Sequence, residues 1–503
     1  MTFDGLQLSV FMGLTACIGL LTYIQCRRSG EKGQDNNKEI FLASGNLSWP
    51  FIAGSITLTN LSTDQLMGMN GKQMLVIAWW EWAAVIGLLI LAKVFLPIYY
   101  KEQCTTTTEL LEKKYGNVHV RSAISLLFLL GNVFIYLPLL LYSGALFMVS
   151  MFGLTPPKLF MQWFGTTHAP MVLIWCVAMI FALIGAAYAL FGGLRAVAVS
   201  DTYSGVLLLG MAVLVVFLSL QAIQFDFSGI PTSRLALWGD DNAPIPWHTL
   251  LTGMLFIQIF YWSTNQTITQ RAMAAPNLKE AQKGVYIAAL IRFLIVPAIV
   301  VLPGIAAYKL YGKLGDQAYG HIVGKLLPTW LSGAFAAAIM AAVLTTFNSI
   351  LNASSALCVC DLYEPYTGQE ANVRKLNLWI TMSFVGIALV LVPVYAQSES
   401  IIDLVQKLNG LLSMPILSVF ILGLAFRDVD PRAAILALFS GVAFYAFTSF
   451  VYAPFHYIHM MLLTLLLCVC IALELNLRVF GKPIQLALTR NSTTDTQNTV
   501  DTP

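Results

Sequence analysis

Few polar side chains interrupt the apolar segments of this 503-residue chain, and those that do are of types that hold cations and hydroxyl groups. The densest run is Thr57 to Gly71, TLTNLSTDQLMGMNG, inside a segment apolar enough to cross a bilayer. A backbone at membrane depth must satisfy its own hydrogen bonds, so a polar break there implies a face toward protein or water. Reading the run instead as a loop between two short helices leaves too little chain, because Trp49 to Met69 alone is about the 20 residues of one crossing. A broken transmembrane helix presents free carbonyls and helix ends to ions and small solutes, which points to transport. A second feature is Thr345-Thr346 within AAAIMAAVLTTFNS. Two adjacent hydroxyls supply hard oxygens for a sodium ion without burying a charge, or they bond their own i−4 carbonyls; the residues alone leave both open. Arg292 lies about nine residues beyond Lys283, hence roughly 13 Å into a 30 Å core. Snorkelling from that depth is hard, so it requires a carboxylate, either Glu81 or one carried by a solute. Tyr261 and Trp262 sit side by side mid-span, as packing or as a ring face for a ligand.

The elements that must position these residues are membrane helices. The chain is 58% hydrophobic and 11% charged, against about 25% charged in soluble proteins. About 13 spans of bilayer length fall near 6–26, 50–70, 74–99, 122–152, 166–190, 199–223, 247–269, 283–309, 329–358, 375–396, 400–425, 432–453 and 457–477. No soluble domain is expected, and the last dozen residues read as disordered. The net charge of +3 without a basic run gives no reason to expect nucleic acid. Eight cysteines form no disulfide framework: Cys17, Cys176, Cys468 and Cys470 fall in apolar spans, and Cys358 and Cys360 make a C-x-C with no histidine nearby. The first apolar run lacks a basic leader and precedes Arg27-Arg28, so a retained span is expected. His119, His168, His248, His321, His456 and His459 all fall at loops or span ends, so no convergent acid–base set suggests an enzyme. Scattered polar residues also fail to outline the continuous pore of a channel.

Orientation follows from the basic residues. With the N-terminus outside, nineteen Lys and Arg, from Arg27 and Arg28 through Arg271, Lys279 and Lys283 to Arg490, fall in inside loops. Six, Lys72, Lys158, Arg234, Lys309, Lys313 and Lys325, fall outside. The expected arrangement is N-terminus out and C-terminus in, in a plasma membrane or a bacterial inner membrane.

Several blocks resemble the sodium/solute symporter family, and most closely its sodium–sugar branch. They are NLSTDQLMGMNG, YALFGGLRAVAVSD (Tyr188 to Asp201), YWSTNQTITQRAMAA (Tyr261 to Ala275), the Glu280 to Tyr308 stretch and LNASSALCVCDLY (Leu351 to Tyr363). Order and spacing hold from about residue 40 to 435. The resemblance implies an all-α integral membrane protein with a LeuT-like core of two inverted five-helix repeats whose first helices are broken. The repeats are expected at 50–223 and 247–425. Residues 1–49 hold a leading helix and cytoplasmic loop, 432–477 two trailing helices and 478–503 a cytoplasmic tail.

The same resemblance implies sodium-coupled symport of a sugar by alternating access, with no enzymatic activity and no required oligomer. It places sodium on Thr345, Thr346 and the carbonyls of Leu58, Leu61 and Ala342, with Asp201 nearby. Without it, an Asp at a helix end is more often a cap. It places the substrate on Asn60, Gln65, Glu81, Gln258, Tyr261, Trp262, Arg292 and Gln406, with Tyr261 as the inner gate. The sequence departs from the sugar carriers at Arg292, where Lys is common, at Gln258, where a smaller polar residue is usual, and in a shorter spacer before Glu81. An acidic sugar or other organic anion paired to Arg292, and coupling to protons instead of sodium, remain alternatives.

Overall fold

The computed structural model describes residues 5–28, 45–368, 373–397 and 400–486. Side chains at 187–198, 201, 373, 374 and several positions of the first helix lie outside that description, as do the end of the tail and the side chain of Asp201.

Among the described residues ten helices are long and apolar enough to cross a membrane. They are α4 (Leu75–Glu102), α5 (Val118–Phe152), α6 (Lys158–Ala186), α7 (Thr202–Ala222), α10 (Leu278–Tyr311), α11 (Thr329–Thr367), α12 (Lys375–Tyr395), α13 (Ile401–Ala425), α14 (Pro431–Val451) and α15 (Tyr457–Arg478). Three further expected crossings are α1 (Gly5–Arg28) and two broken helices, α2 (Trp49–Asn60) with α3 (Thr63–Lys72), and α8 (Gly253–Ser263) with α9 (Gln266–Met273). The broken pairs fail a length test because each half is too short by itself. Among the described residues the sole sheet is two residues long per strand, pairing Phe426–Arg427 with Gln485–Leu486.

Local chemistry explains both breaks. Hydroxyl and amide side chains offer the backbone alternatives to its own ladder. After Asn60, Leu61 (φ −78°, ψ 67°) and Ser62 (φ −108°, ψ −179°) leave helical geometry, and the Ser62 hydroxyl donates to Asp64. In the second break Thr264 leaves the helix, and the extended Asn265 caps α9 by accepting the Thr267 amide at 2.9 Å.

Packing then sets the layers. The innermost helix is α11, with 89% of its most apolar window buried, against 33% for α6 and α7. Its buried alanines, among them Ala336, Ala337, Ala338 and Ala342, allow the close backbone approach that membrane helices rely on in place of a hydrophobic drive. Both halves of the first break, α2 and α3, pack on α11. A Cβ on Gly87 of α4 would stand 2.4 Å from the Gln258 carbonyl of α8, so these two helices meet backbone to backbone. Outward-facing Leu126, Leu130, Phe134, Leu183, Phe293 and Val390 give the apolar exterior that a bilayer solvates.

The structure corrects one sequence-based placement. Arg271 belongs to no loop: it is fully buried on α9. Its guanidinium donates to the hydroxyls of Ser55 (2.7 Å) and Ser349 and to the Thr267 carbonyl. The helix continues past the depth at which hydropathy alone ends the span, and neutral oxygens line the space it enters.

Candidate functional site

The two breaks flank a cavity with about 970 Å³ of free space, counted to its open mouth. It is lined from α2 and α3 by Thr59, Asn60, Ser62, Asp64, Gln65 and Met69, and from α4 by Trp80, Glu81 and Ala84. From α5 come Asn132, Tyr136, Leu139 and Leu140, and from α8 and the second break Ile257, Gln258, Tyr261, Trp262, Asn265 and Thr267. Thr346 and Ile350 of α11 and Ile402, Val405, Gln406 and Asn409 of α13 complete the wall. A few convergent polar groups on an apolar and aromatic wall is the makeup of a small-molecule site.

Seven of the eight residues expected to touch substrate line this space: Asn60, Gln65, Glu81, Gln258, Tyr261, Trp262 and Gln406. Glu81 gets there because the chain reverses at a left-handed Gln73 (φ 55°) and a 3-10 turn, Leu75–Ala78, leads straight into its helix. There it accepts a hydrogen bond from the Gln65 amide, whose own oxygen is buried without a partner. The Gln258 amide donates to the Trp80 carbonyl (3.1 Å) and accepts from the Trp262 indole (2.9 Å), which clamps α8 to α4 and aims both rings. Asn60 donates to the Tyr261 hydroxyl at 2.9 Å, joining the two broken helices. Among the described residues no hydrogen bond to protein engages the Gln406 side chain, which stands one turn from Asn409.

Arg292 stands one layer behind the wall. It is fully buried, its Nη1 donates to Glu81, its Nη2 reaches the Thr57 carbonyl at 3.2 Å, and its guanidinium lies 4.4 Å over the Trp262 ring. The ion pair is closed on itself, with side chains 0% and 2% exposed. Among the described residues no Lys or Arg lines the cavity, and the acidic groups on its wall are Asp64 and the paired Glu81.

Of the residues assigned to sodium, Thr346 lines this space, and both halves of the first break pack on the helix that carries Thr345 and Thr346. On α11 the Thr345 hydroxyl donates to the Ala342 carbonyl (3.2 Å), whereas that of Thr346 is buried with no hydrogen-bond partner. On the facing break the Ser62 amide turns to the Asn60 carbonyl (2.8 Å) instead of to Leu58 four residues back, and the Leu61 amide reaches Thr57 (3.1 Å). The partnerless Thr346 hydroxyl and the Leu58 carbonyl, which the Ser62 amide leaves, are neutral hard oxygens, the donor type that suits sodium. Asp201 adds nothing here because its side chain lies outside the described residues.

Sequence reasoning missed Asp64, Asn132, Tyr136, Asn265 and Asn409. Asn132 opens a π-turn, Asn132–Tyr136, and donates to Ser354 at 2.9 Å, while the Tyr136 hydroxyl donates to Asn409. The signal was present: an Asn inside LLFLLGNVFIYLPLLL is an intramembrane polar residue, and such residues are functional candidates by default.

Comparison with known proteins accords with this geometry. Residues 40–441 match the sodium:solute symporter family. Over 502 residues the chain is 32% identical to the uncharacterized symporter YidK of Escherichia coli strain K12, covering 95% of this chain and 84% of that one. Over 501 residues it is 28% identical to the sodium/glucose cotransporter of Vibrio parahaemolyticus, covering 92% and 88%. The solved structure of a Na+-coupled sialic acid symporter, substrate-bound and outward-open, aligns with a TM-score of 0.79 at 18% identity over 96% of this chain and 99% of that one, a likeness of fold. With its LeuT-like core and a family match over most of its length, this multi-pass membrane protein belongs to the sodium:solute symporter family.

Proposed function

We propose that the chain carries a neutral sugar or sugar-like polyol into the cell, driven by one sodium ion bound at Thr345, Thr346 and the carbonyls of Leu58, Leu61 and Ala342. The observation that carries the neutral reading is the closed Glu81–Arg292 pair. An anionic substrate would have to displace Glu81 from Arg292 and leave a carboxylate buried without its partner, which costs several kcal/mol. The wall instead offers planar amides, Gln65 and Gln406, and the rings of Tyr261 and Trp262. That combination bonds adjacent hydroxyls and covers the apolar face of a sugar ring.

In this reading the repeats are 50–223 and 247–425, the N-terminus is outside, and Tyr261 closes the inner side of the substrate. Sodium holds the first broken helix against α11, Asn60 on that helix latches Tyr261, and loss of sodium to the cytoplasm frees the ring. A binding panel tests the substrate class. Tryptophan fluorescence of the purified protein, read through Trp80 and Trp262, should respond to neutral hexoses or polyols in sodium and not in potassium. A response confined to hexuronates or other acidic sugars would overturn the neutral reading, and equal responses in both salts would remove sodium.

A further inference from the structure

The entry to α8 carries a cluster that transport of a sugar does not use. His248, in the segment before α8, and His459, in the first turn of α15, face each other with His248 Nδ1 and His459 Nε2 2.7 Å apart. The ring centroids are 4.7 Å apart and the planes differ by 13°. That separation is close to the nitrogen–nitrogen distance plus two ring radii, so the rings lie edge to edge and share a single proton. Each outer nitrogen also has a partner. His248 Nε2 is 3.2 Å from Asp241 Oδ1, and His459 Nδ1 is 3.0 Å from Thr252 Oγ1. A carboxylate only accepts, so His248 carries its proton on Nε2 and turns a bare Nδ1 toward His459.

We propose that His248 and His459 form a two-imidazole site for a divalent transition-metal ion of the zinc class. Zinc–imidazole bonds of about 2.0–2.1 Å at a tetrahedral angle need nitrogens roughly 3.3 Å apart, so the rings part by about 0.6 Å and each turns by roughly 35° to aim its lone pair at the ion instead of at the other ring. No proton has to leave. His459 keeps its one N–H by moving it from Nε2 to Nδ1, where Thr252 Oγ1 accepts it and turns its own proton to the Thr249 carbonyl, 3.2 Å away. Asp241 then completes the carboxylate–histidine–metal arrangement that orients a ligating ring. No third His, Cys, Asp or Glu converges among the described residues, so water fills the remaining positions. The His248 side chain is 35% exposed and Asp241 is 87% exposed, which leaves an entry path.

The bound ion would brace a tight joint: a Cβ on Gly253, the first residue of α8, would lie 1.9 Å from the Ile458 carbonyl of α15. From that joint α8 runs on to Gln258, Tyr261 and Trp262 in the cavity wall. Occupancy should therefore reach the transport site through the helix that carries the gate.

The test uses the full chain without a polyhistidine tag, stripped with EDTA and titrated calorimetrically with Zn2+ and Ni2+. We expect saturable binding of one ion per chain and a thermal midpoint that rises with metal concentration, as for any ligand of the folded state. His248→Ala and His459→Ala should each weaken binding by tenfold or more, Asp241→Asn by about tenfold as the loss of an outer-shell partner, and His321→Ala not at all. If an alanine variant does not fold, His459→Gln keeps a donor toward His248 but cannot ligate, and should also lose the ion. Absence of saturable binding, or binding that survives in either His248→Ala or His459→Gln, would overturn the pair as a metal site.

Discussion

Replacing Arg292 separates a structural ion pair from a substrate receptor. Arg292→Met keeps most of the side-chain length but strands Glu81, which is 2% exposed and would keep only the Gln65 amide. Breaking a buried pair from one side costs about 3–5 kcal/mol, and loss of the guanidinium over Trp262 adds up to about 2 kcal/mol. Glu81→Gln with Arg292→Met removes both charges, and replacing both ions of a buried pair is often neutral or stabilising. The double variant should therefore recover most of the loss, a coupling of about 2–3 kcal/mol. The assay is unfolding of the four purified proteins in detergent, with a binding titration for each. A double variant no more stable than Arg292→Met alone would refute the argument. So would normal stability of Arg292→Met accompanied by selective loss of an acidic ligand.

Other consequences can be checked with single variants. Tyr261→Phe keeps the ring and loses the 2.9 Å bond from Asn60, so substrate affinity should stay within a few-fold while coupled accumulation falls; accumulation equal to the parent's would reduce Tyr261 to a packing surface. Asp316, in the loop before α11, accepts the Ile401 amide at 2.8 Å. Burial raises it to about 6, against the pull of Ile401 and Lys72 and with the push of Asp403. An acid raised on folding stabilises below its unfolded value near 4 and loses that contribution as pH climbs through about 6. Asp316→Asn should flatten that part of the thermal-midpoint profile between pH 4 and 7, and an unchanged slope would count against it. Gly87→Ala places a methyl against the Gln258 carbonyl and should cost about 1–3 kcal/mol by overpacking, with weaker substrate binding; a silent variant would mean that α4 and α8 are less tightly apposed.

Much of the site could be read in the sequence because membrane depth makes polarity conspicuous. Thr57 to Gly71 betrayed a break, and the depth of Arg292 demanded an acid that proved to be Glu81. What stayed hidden depends on rotation and register. Whether Arg292 faced the cavity or the layer behind it turns on where Trp262 and Glu81 stand around it, which spacing along α10 does not encode. Asn132, Tyr136 and Asn409 are scattered polar positions on long apolar helices, brought together by a π-turn in α5 and by one turn of α13. Arg271 reads as a loop residue by charge, yet Ser55 and Ser349 from two other helices receive it.

Sodium coupling through Thr346 is tested by solute uptake into proteoliposomes under an imposed sodium gradient, comparing the parent with Thr346→Ala. One charge crossing 100 mV supplies about 2.3 kcal/mol, and a tenfold sodium gradient about 1.4 kcal/mol. Together they allow roughly 500-fold accumulation of a neutral solute. The parent should accumulate a neutral sugar and lose that accumulation when the sodium gradient is dissipated, whereas a folded Thr346→Ala should equilibrate the sugar without accumulating it. Accumulation that follows an imposed proton gradient instead, or that persists unchanged in Thr346→Ala, would contradict sodium coupling through Thr346.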